Sequence, residues 1–369
     1  MTLELKPGQT IGILGGGQLG RMLAMAAARL GLKAHIYAPD PASPAFDVAA
    51  AQTLAAYEDE TALAAFAAKV DVVTYEFENV PTRTAEILAE FCPVRPDAAA
   101  LAASQDRLVE KEFVTSLGIA TAPYMPVEDA GALARAVAQL GRPSILKTRR
   151  FGYDGKGQVL VREGSDLAVT FRSLGGAPAI LEGIVPFKKE ISVIAARGAD
   201  GTFAAFDVTE NVHEHHILSR SLAPALISPE TASEAILYTE MIADALDYVG
   251  ILAVEMFVTE EASQDGIKRE KIRVNEIAPR VHNSGHWTLD GAVTSQFEQH
   301  IRAIAGWPLG ITRRHGTRVE MRNLVGDDIR QWAEILLEPG ANLHLYGKAE
   351  ARPGRKMGHV TRIMYDLKK

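Results

Sequence analysis

Apolar and polar positions change period in blocks along the chain, and the blocks predict its elements. Thr10–Leu14 is a short β-branched apolar run that stops at Gly15-Gly16-Gly17-Gln18-Leu19-Gly20. An Ala-, Met- and Leu-rich stretch with helical spacing follows to Leu30, Gly31 ends it, and Lys33–Ala38 reads as a second strand. A strand, a glycine turn, a helix and another strand make a βαβ opening, and hence a parallel sheet covered by helices. Asp59–Lys69 predicts a further helix and Asp71–Tyr75 a further strand, and the alanine-rich run after Pro96 predicts a helical segment through Leu117, ended by Gly118. From Pro143 the texture turns to β-prone segments: Ser144–Lys147, Gln158–Arg162, Ala179–Val185 and Glu190–Ala196. A helix over Thr231–Tyr248 precedes strands Leu252–Thr259 and Lys271–Ala278, joined by a charged insert, and a hairpin is expected around Pro353-Gly354.

Length and charge narrow the class. The 369 residues suggest two or three domains with ample material for a buried core. With 39 basic against 46 acidic residues the net charge is −7, the wrong sign for a general polyanion binder, so nucleic acid is not the expected partner. A single cysteine, Cys92, excludes an intramolecular disulfide and a zinc site built from several thiolates. No apolar run approaches the ~18 residues of a membrane span, and Met1–Gly8 has no apolar core of a secretory signal. A cytoplasmic protein with no membrane partner is expected.

Two glycine loops carry candidate chemistry. Gly15, Gly17 and Gly20 satisfy G-x-G-x-x-G between a strand and a helix, where backbone N–H groups and the helix N-terminus favour an anion. Asp40 lies where a ribose-binding acid is sought, yet it follows Pro39 beyond the second strand. A dinucleotide, another anion and plain tight packing all remain open on this motif alone. The segment Lys147–Gly157 is more informative: a lysine ending an apolar strand can reach phosphate oxygens, and Gly152, Gly155 and Gly157 leave the backbone free to fold over an anion. Glu182-Gly183-Ile184-Val185 offers an adenine edge backbone groups plus a carboxylate.

Glu190 and Glu255 are acids in otherwise apolar strands, and Asn275-Glu276 end one. A carboxylate so placed is paired, at a sheet edge, or holding a cation. If the strands carrying Glu255 and Glu276 pair with those faces together, the two become cross-strand neighbours, and oxygen ligands near phosphates point to Mg²⁺. His213, His215 and His216 tempt a zinc reading, but alternate histidines without a thiolate are more often hydrogen-bonded or exposed. Trp287 and Trp307 read as packing residues, and His286 and His359 as either titrating or structurally bonded groups.

Taken together, Lys147–Gln158, Glu182–Val185, Asn211-Val212-His213, Asn275–Arg280, His282–Leu289 and Arg352–Thr361 resemble the N5-carboxyaminoimidazole ribonucleotide synthetases of the ATP-grasp superfamily. The resemblance spans nearly the whole chain. It implies an α/β and α+β ATP-grasp fold: an N-terminal Rossmann-like parallel-sheet domain over 1–100 that binds the ribonucleotide, an ATP-grasp region over 101–300 with a lid at about 120–185, and a C-terminal domain over 301–369 that completes the substrate site. It also implies a ligase of purine biosynthesis. Aminoimidazole ribonucleotide, bicarbonate and ATP would give the N5-carbamate, ADP and phosphate through carboxyphosphate, with Mg²⁺ and without biotin, in a homodimer.

Carried over by position, Arg107, Lys147, Gly152, Tyr153, Asp154, Gly155, Lys156, Gly157, Gln158, Glu182, Gly183, Ile184, Val185, Glu190, His213, Asn275 and Glu276 should contact ATP, and Glu255 and Glu276 the metal. The ribonucleotide should lie against Gln18, Leu19, Glu76, Tyr153, Asp154 and Arg280, with Lys348 and Arg355 near its phosphate, so the first glycine loop would serve the ribonucleotide. Asp154 is the candidate to orient or deprotonate the amine, and Lys348 or Arg280 to steady the bicarbonate or carbamate charge. The rival readings are another ATP-grasp carboxylate–amine ligase or ribonucleotide transformylase, a nicotinamide-dependent oxidoreductase resting on Gly15–Gly20 and Asp40, and a non-catalytic nucleotide sensor.

Overall fold

The computed structural model describes residues 3–152, 155–262 and 268–365. The opening segment folds as its periodicity predicts. Strands β1 (Thr10–Leu14), β2 (Lys33–Ala38), β3 (Ala51–Leu54) and β4 (Val72–Tyr75) form a parallel sheet in the order β3-β2-β1-β4. Helix α1 (Gln18–Arg29) buries Met22, Leu23, Ala24 and Ala27. Helices α2 (Glu60–Ala67) and α3 (Thr82–Ala89) bury Leu63, Phe66, Ile87 and Leu88 with the aromatic rings of Tyr37 and Tyr75. Each such side chain withdrawn from water contributes about 1.5–3 kcal/mol.

The alanine-rich run is two helices. α4 (Ala98–Gln105) ends where Asp106 accepts the Leu108 N–H (3.0 Å) and caps α5 (Arg107–Ser116). Alanine spacing does not reveal this break, because a single capping acid makes it. The bend matters, since it puts Arg107, Glu110 and Lys111 at the start of a fresh helix beside the cleft described below.

A second, antiparallel sheet of order β5-β8-β6-β7 combines β5 (Tyr124–Val127), β6 (Ser144–Thr148), β7 (Gln158–Val161) and β8 (Ala179–Gly183). It is backed by α6 (Ala130–Leu140) and α7 (Leu167–Ser173). The strand expected over Ala179–Val185 stops at Gly183, where the Gly183 N–H leaves the ladder to bond the Pro123 carbonyl (2.8 Å).

The largest sheet has nine strands: β9 (Lys189–Arg197), β10 (Phe203–Ala205), β11 (Thr209–Glu214), β12 (Ile217–Ala223), β13 (Gly250–Ala262), β14 (Lys268–Ala278), β15 (Arg318–Val325), β16 (Ala341–Leu345) and β17 (Lys356–Met364). Helix α8 (Pro229–Ala245) packs on it through Ala235, Ile242 and Ala243. The three C-terminal strands extend this sheet, through β12 pairing with β15, and do not form a sheet of their own. The turn at Pro353-Gly354 lies within the 346–355 connection that brings β17 back antiparallel to β16. Among the described residues no helix is long and apolar enough to cross a membrane.

The parallel sheet is tied to the large one by buried polar bridges. His300, on the helix Gln296–Ile304, accepts the Ile251 N–H at Nδ1 (3.0 Å), which leaves Nε2 to donate to Thr74 Oγ1 (2.8 Å) at the centre of β4. Burial holds this ring neutral, with its pKa pulled down to about 3.

Candidate active site

The three sheets meet at one cleft of about 730 Å³. The parallel sheet supplies Gln18, Leu19 and Glu76; the second sheet and its loop supply Lys147, Gly152, Gly155, Lys156 and Gln158. From α5 and the large sheet come Arg107, Glu190, His213, Glu255, Asn275 and Glu276, with Arg280 just past β14. Five of the six motif segments therefore contribute to one cleft, and Glu182–Val185 does not line it. Tyr153 and Asp154 lie outside the described residues.

The first glycine loop has a different anion from the one its pattern suggests. The Glu76 carboxylate, at the end of β4, accepts the Gly17 N–H through Oε1 and the Gly20 N–H through Oε2 (2.5 Å). A Cβ on Gly17 or Gly20 would approach these oxygens to 2.7 and 3.3 Å. The glycines thus let a buried carboxylate of the chain itself seat on the N-terminus of α1. Burial pushes the Glu76 pKa up against these two N–H bonds and the charges of Arg280 and Lys348. Asp40 is exposed and accepts the Ala42 N–H (2.9 Å) in a turn, away from the cleft. The two features behind the dinucleotide reading are both accounted for locally.

In the second loop, Arg149 holds Asp106 at both carboxylate oxygens (2.9 and 3.0 Å) and Arg107 Nη2 donates to the Gly152 carbonyl (3.1 Å), so the start of α5 fixes the start of the loop. Gly157 closes it: at φ +69°, its carbonyl accepts the Thr148 N–H (2.8 Å), and a Cβ would sit 2.5 Å from Thr148 Oγ1. Lys147 Nζ reaches the cleft floor and bonds Glu182 Oε2 at 2.8 Å. Burial pulls the Lys147 pKa down, with Glu182 opposing, while Glu182 is held low because Lys147 and Lys111 outweigh its burial. The Glu182 carboxylate is therefore turned to lysine here. Ile184 is exposed, and the Val185 carbonyl accepts the Phe187 N–H (2.8 Å).

The acid pair is where strand alternation puts it. Glu255 and Glu276 are direct cross-strand partners in the β13–β14 ladder, with a bulge following Glu255. Burial first, and then the Glu276 charge, raise the Glu255 pKa to about 8. Two facing carboxylates, both hard oxygen donors, fit a divalent cation between them. Their neighbours are polar: Arg107 Nη1 lies 3.7 Å from Glu276, His282 Nε2 lies 3.4 Å from Glu255, and His213 Nδ1 lies 2.9 Å from Glu190. Burial lowers the His213 pKa, but Glu190 outweighs it and the net shift is upward.

Lys348 and Arg355 stand outside the cleft lining. Lys348 donates to the Lys356 carbonyl (2.7 Å) and Arg355 to the Glu350 carbonyl (2.9 Å), while Lys356 lines the cleft instead. Other lining residues escaped the sequence reading. Glu78 pairs with Arg280, Glu110 accepts the Ile277 N–H (2.6 Å), and Phe187 stacks on Phe257 with centroids 4.7 Å apart. Glu78 offered a signal, two residues past Glu76 at the end of a strand, but Glu110 is hidden in an ordinary helical charge pattern. Trp287 and Trp307 pack and bond Thr209 Oγ1 (3.0 Å) and the Leu5 carbonyl (2.7 Å). His286 and His359 are buried, and burial pushes both pKa values well below the usual range, so they do not titrate near neutrality.

A lysine from a strand end, a glycine loop and paired acids between two antiparallel β-lobes define an ATP-grasp enzyme. A model of the ATP-grasp domain matches residues 112–297, a ribonucleotide synthetase preATP-grasp domain matches 8–105, and a phosphoribosylaminoimidazole carboxylase C-terminal domain matches 320–369. The chain is 54% identical over 362 residues to the N5-carboxyaminoimidazole ribonucleotide synthase of Brucella melitensis, covering 98% of each. Among solved structures it is similar to an N5-carboxyaminoimidazole ribonucleotide synthetase in complex with ADP (44% identity, TM-score 0.91, 98% and 94% of the two chains). A second, from Aspergillus clavatus, is an N5-carboxyaminoimidazole synthase in complex with ADP and 5-aminoimidazole ribonucleotide (31% identity, TM-score 0.86, 97% and 94%). The chain belongs to the N5-carboxyaminoimidazole ribonucleotide synthase family, a family of ATP-grasp ligases.

Proposed function

We propose that the chain carboxylates the exocyclic amine of 5-aminoimidazole ribonucleotide with bicarbonate, cleaving ATP to ADP and phosphate. The observation that carries this reading is the single cleft, in which the lysine, glycine loop and acid pair of an ATP site are continuous with Gln18, Leu19 and Glu76 of the parallel sheet. The relative from Aspergillus clavatus, whose structure holds ADP and 5-aminoimidazole ribonucleotide together, supports it.

Bicarbonate is a poor electrophile. In the first step one of its oxygens attacks the terminal phosphorus of ATP, ADP leaves, and carboxyphosphate forms. Arg107, Lys147 and the loop from Gly152 to Gln158 hold the phosphates in line, a task of positioning and charge neutralisation. Glu190 and His213 sit at the nucleotide end. Glu255 and Glu276 would hold Mg²⁺, which supplies charge neutralisation at the phosphates when bound. In the second step the amine attacks the carboxyl carbon, either in carboxyphosphate or in CO₂ released from it. Phosphate leaves, and the amine proton passes to a base. By its place in the loop sequence, Asp154 is that base or the group that orients the amine. Arg280, with Lys348 beside Glu76, steadies the carbamate charge, and Lys356 joins Arg355 as a cation for the ribonucleotide phosphate. A homodimer in the cytoplasm is the state this reading expects.

The test is ADP release from Mg-ATP with the ribonucleotide and bicarbonate added separately and together. Strong stimulation by the ribonucleotide, with an acid-labile carbamate as product, is expected. Turnover on another acceptor, with no response to this ribonucleotide, would retain the ATP-grasp enzyme and reject the substrate. Asp154→Asn should still bind ATP and lose carboxylation; carboxylation at the wild-type rate would remove Asp154 from its role.

A further inference from the structure

Three charged side chains run inward from the floor of the cleft. Lys147 lines it, Glu182 lies behind Lys147, and Lys111 lies behind Glu182. One carboxylate thus has two ammonium neighbours, and they are not equivalent. Lys147 Nζ bonds Glu182 Oε2 at 2.8 Å, whereas Lys111 Nζ stands 3.6 Å from the other oxygen, beyond hydrogen-bond reach. Lys111 is only 2% exposed, and among the described residues neither its Nζ nor Glu182 Oε1 has a hydrogen-bond partner. The neighbouring Glu110 is engaged by the Ile277 N–H.

Lys147 supplies the hydrogen-bonded counter-charge of this buried carboxylate, and Lys111 adds only an attraction across 3.6 Å without a hydrogen bond. A second buried ammonium held just out of reach is unfavourable in this state, and a packed apolar side chain of similar volume would serve the fold better. The arrangement becomes balanced once an anion enters the cleft. Phosphate oxygens then draw Lys147 away from Glu182, and that move alone would strand a buried negative charge. We infer that Lys111 is a positioning residue for ATP: it takes over Glu182 when Lys147 turns to the phosphates, so that Lys147 can move without leaving the carboxylate unpaired. The inference rests on the reading of Lys147 as a phosphate-contacting lysine.

The experiment uses the full chain with Mg²⁺ and a non-hydrolysable ATP analogue, followed by titration calorimetry and by the melting temperature of the ligand-free protein. Lys111→Met should weaken analogue binding roughly tenfold or more while leaving the ligand-free melting temperature unchanged or raised. A lysine with a merely structural role would lose both together. The double variant Lys111→Met/Glu182→Gln should recover affinity relative to Lys111→Met, because Lys147 is then freed from its carboxylate. Unchanged affinity in Lys111→Met, a melting temperature well below wild type, or no recovery in the double variant would each overturn the inference. Lys147→Ala separates the two levels. If it weakens binding and Lys111→Met does not, only the exchange fails; if it binds the analogue like wild type, the reading of Lys147 fails as well.

Discussion

Glu110 shows how one buried carboxyl can link the site to pH. Burial first, and then the Glu276 charge, raise its pKa from 4.5 to about 8, against the Ile277 N–H and the cations Lys111 and Arg107. The unfolded chain releases this proton near the ordinary carboxyl value, and the folded chain only near 8. Between those values the folded state holds the extra proton, so stability falls as pH rises through that window. Glu110→Gln keeps an oxygen to accept the Ile277 N–H and removes the titration. The melting temperature of this variant, followed from pH 5.5 to 8.5, should decline less steeply than that of the wild type. Parallel curves would mean that Glu110 is already ionised in the folded protein. At this scale the sequence was only partly legible. The Glu255–Glu276 opposition follows from strand alternation, since an acid in an apolar strand stands out. Glu110 and Lys111 lie in the run Arg107–Phe113, which reads as an ordinary exposed helical charge pattern until β14 is seen to cover it.

At the scale of elements, the strand–glycine–helix opening illustrates a motif that is legible as backbone and ambiguous as chemistry. The β1–α1–β2 order and its parallel pairing follow from apolar spacing and the Gly31 stop. What occupies the N-terminus of α1 is set by Glu76, at the end of a strand roughly half a domain away in sequence, and no local pattern contains it. The structural demand is sharp at Gly20, where a Cβ would lie 2.7 Å from the Gly15 carbonyl as well as 3.3 Å from Glu76. Because the first of these neighbours is backbone, the strain cannot be relieved by a rotamer change. Gly20→Ala should therefore destabilise the protein by about 1–3 kcal/mol, the usual range for overpacking a tight site, despite alanine being the better helix former. Urea unfolding measures this directly, and a variant as stable as wild type would show that the loop relaxes at little cost. The α4–α5 break at Asp106 has the same origin: composition favours one helix, and a single cap divides it.

For the whole molecule, the cleft depends on contacts between two units, the parallel sheet and the large sheet, that share one apolar core. His300 joins β4 to β13 in the interior, and at the cleft surface Glu78, beyond β4, grips Arg280, beyond β14. Burial would raise the Glu78 pKa, but the charge and hydrogen bond of Arg280 outweigh it and hold the carboxyl below its ordinary value. The sequence predicted Arg280 as a substrate contact but held no sign of its anchor, because the partners are 202 residues apart. In the proposed function Arg280 belongs to the ribonucleotide half of the cleft and Lys147, Glu190 and His213 to the nucleotide half; Glu78 bonds Arg280 directly and reaches the nucleotide half only through the more distant charge of Arg107. Glu78→Gln, which retains size and loses charge, should raise the KM for the ribonucleotide roughly tenfold or more, the usual consequence of weakening a buried charge pair. Its affinity for Mg-ADP should stay within about two- to threefold of wild type, the scatter expected when no direct contact is lost. If both affinities fall together, the Glu78–Arg280 pair holds the units in register and does more than orient one guanidinium. A rise in the ribonucleotide KM alone would locate the pair's contribution in the acceptor half and leave the two halves separable in binding, joined only in the transfer of the carboxyl group.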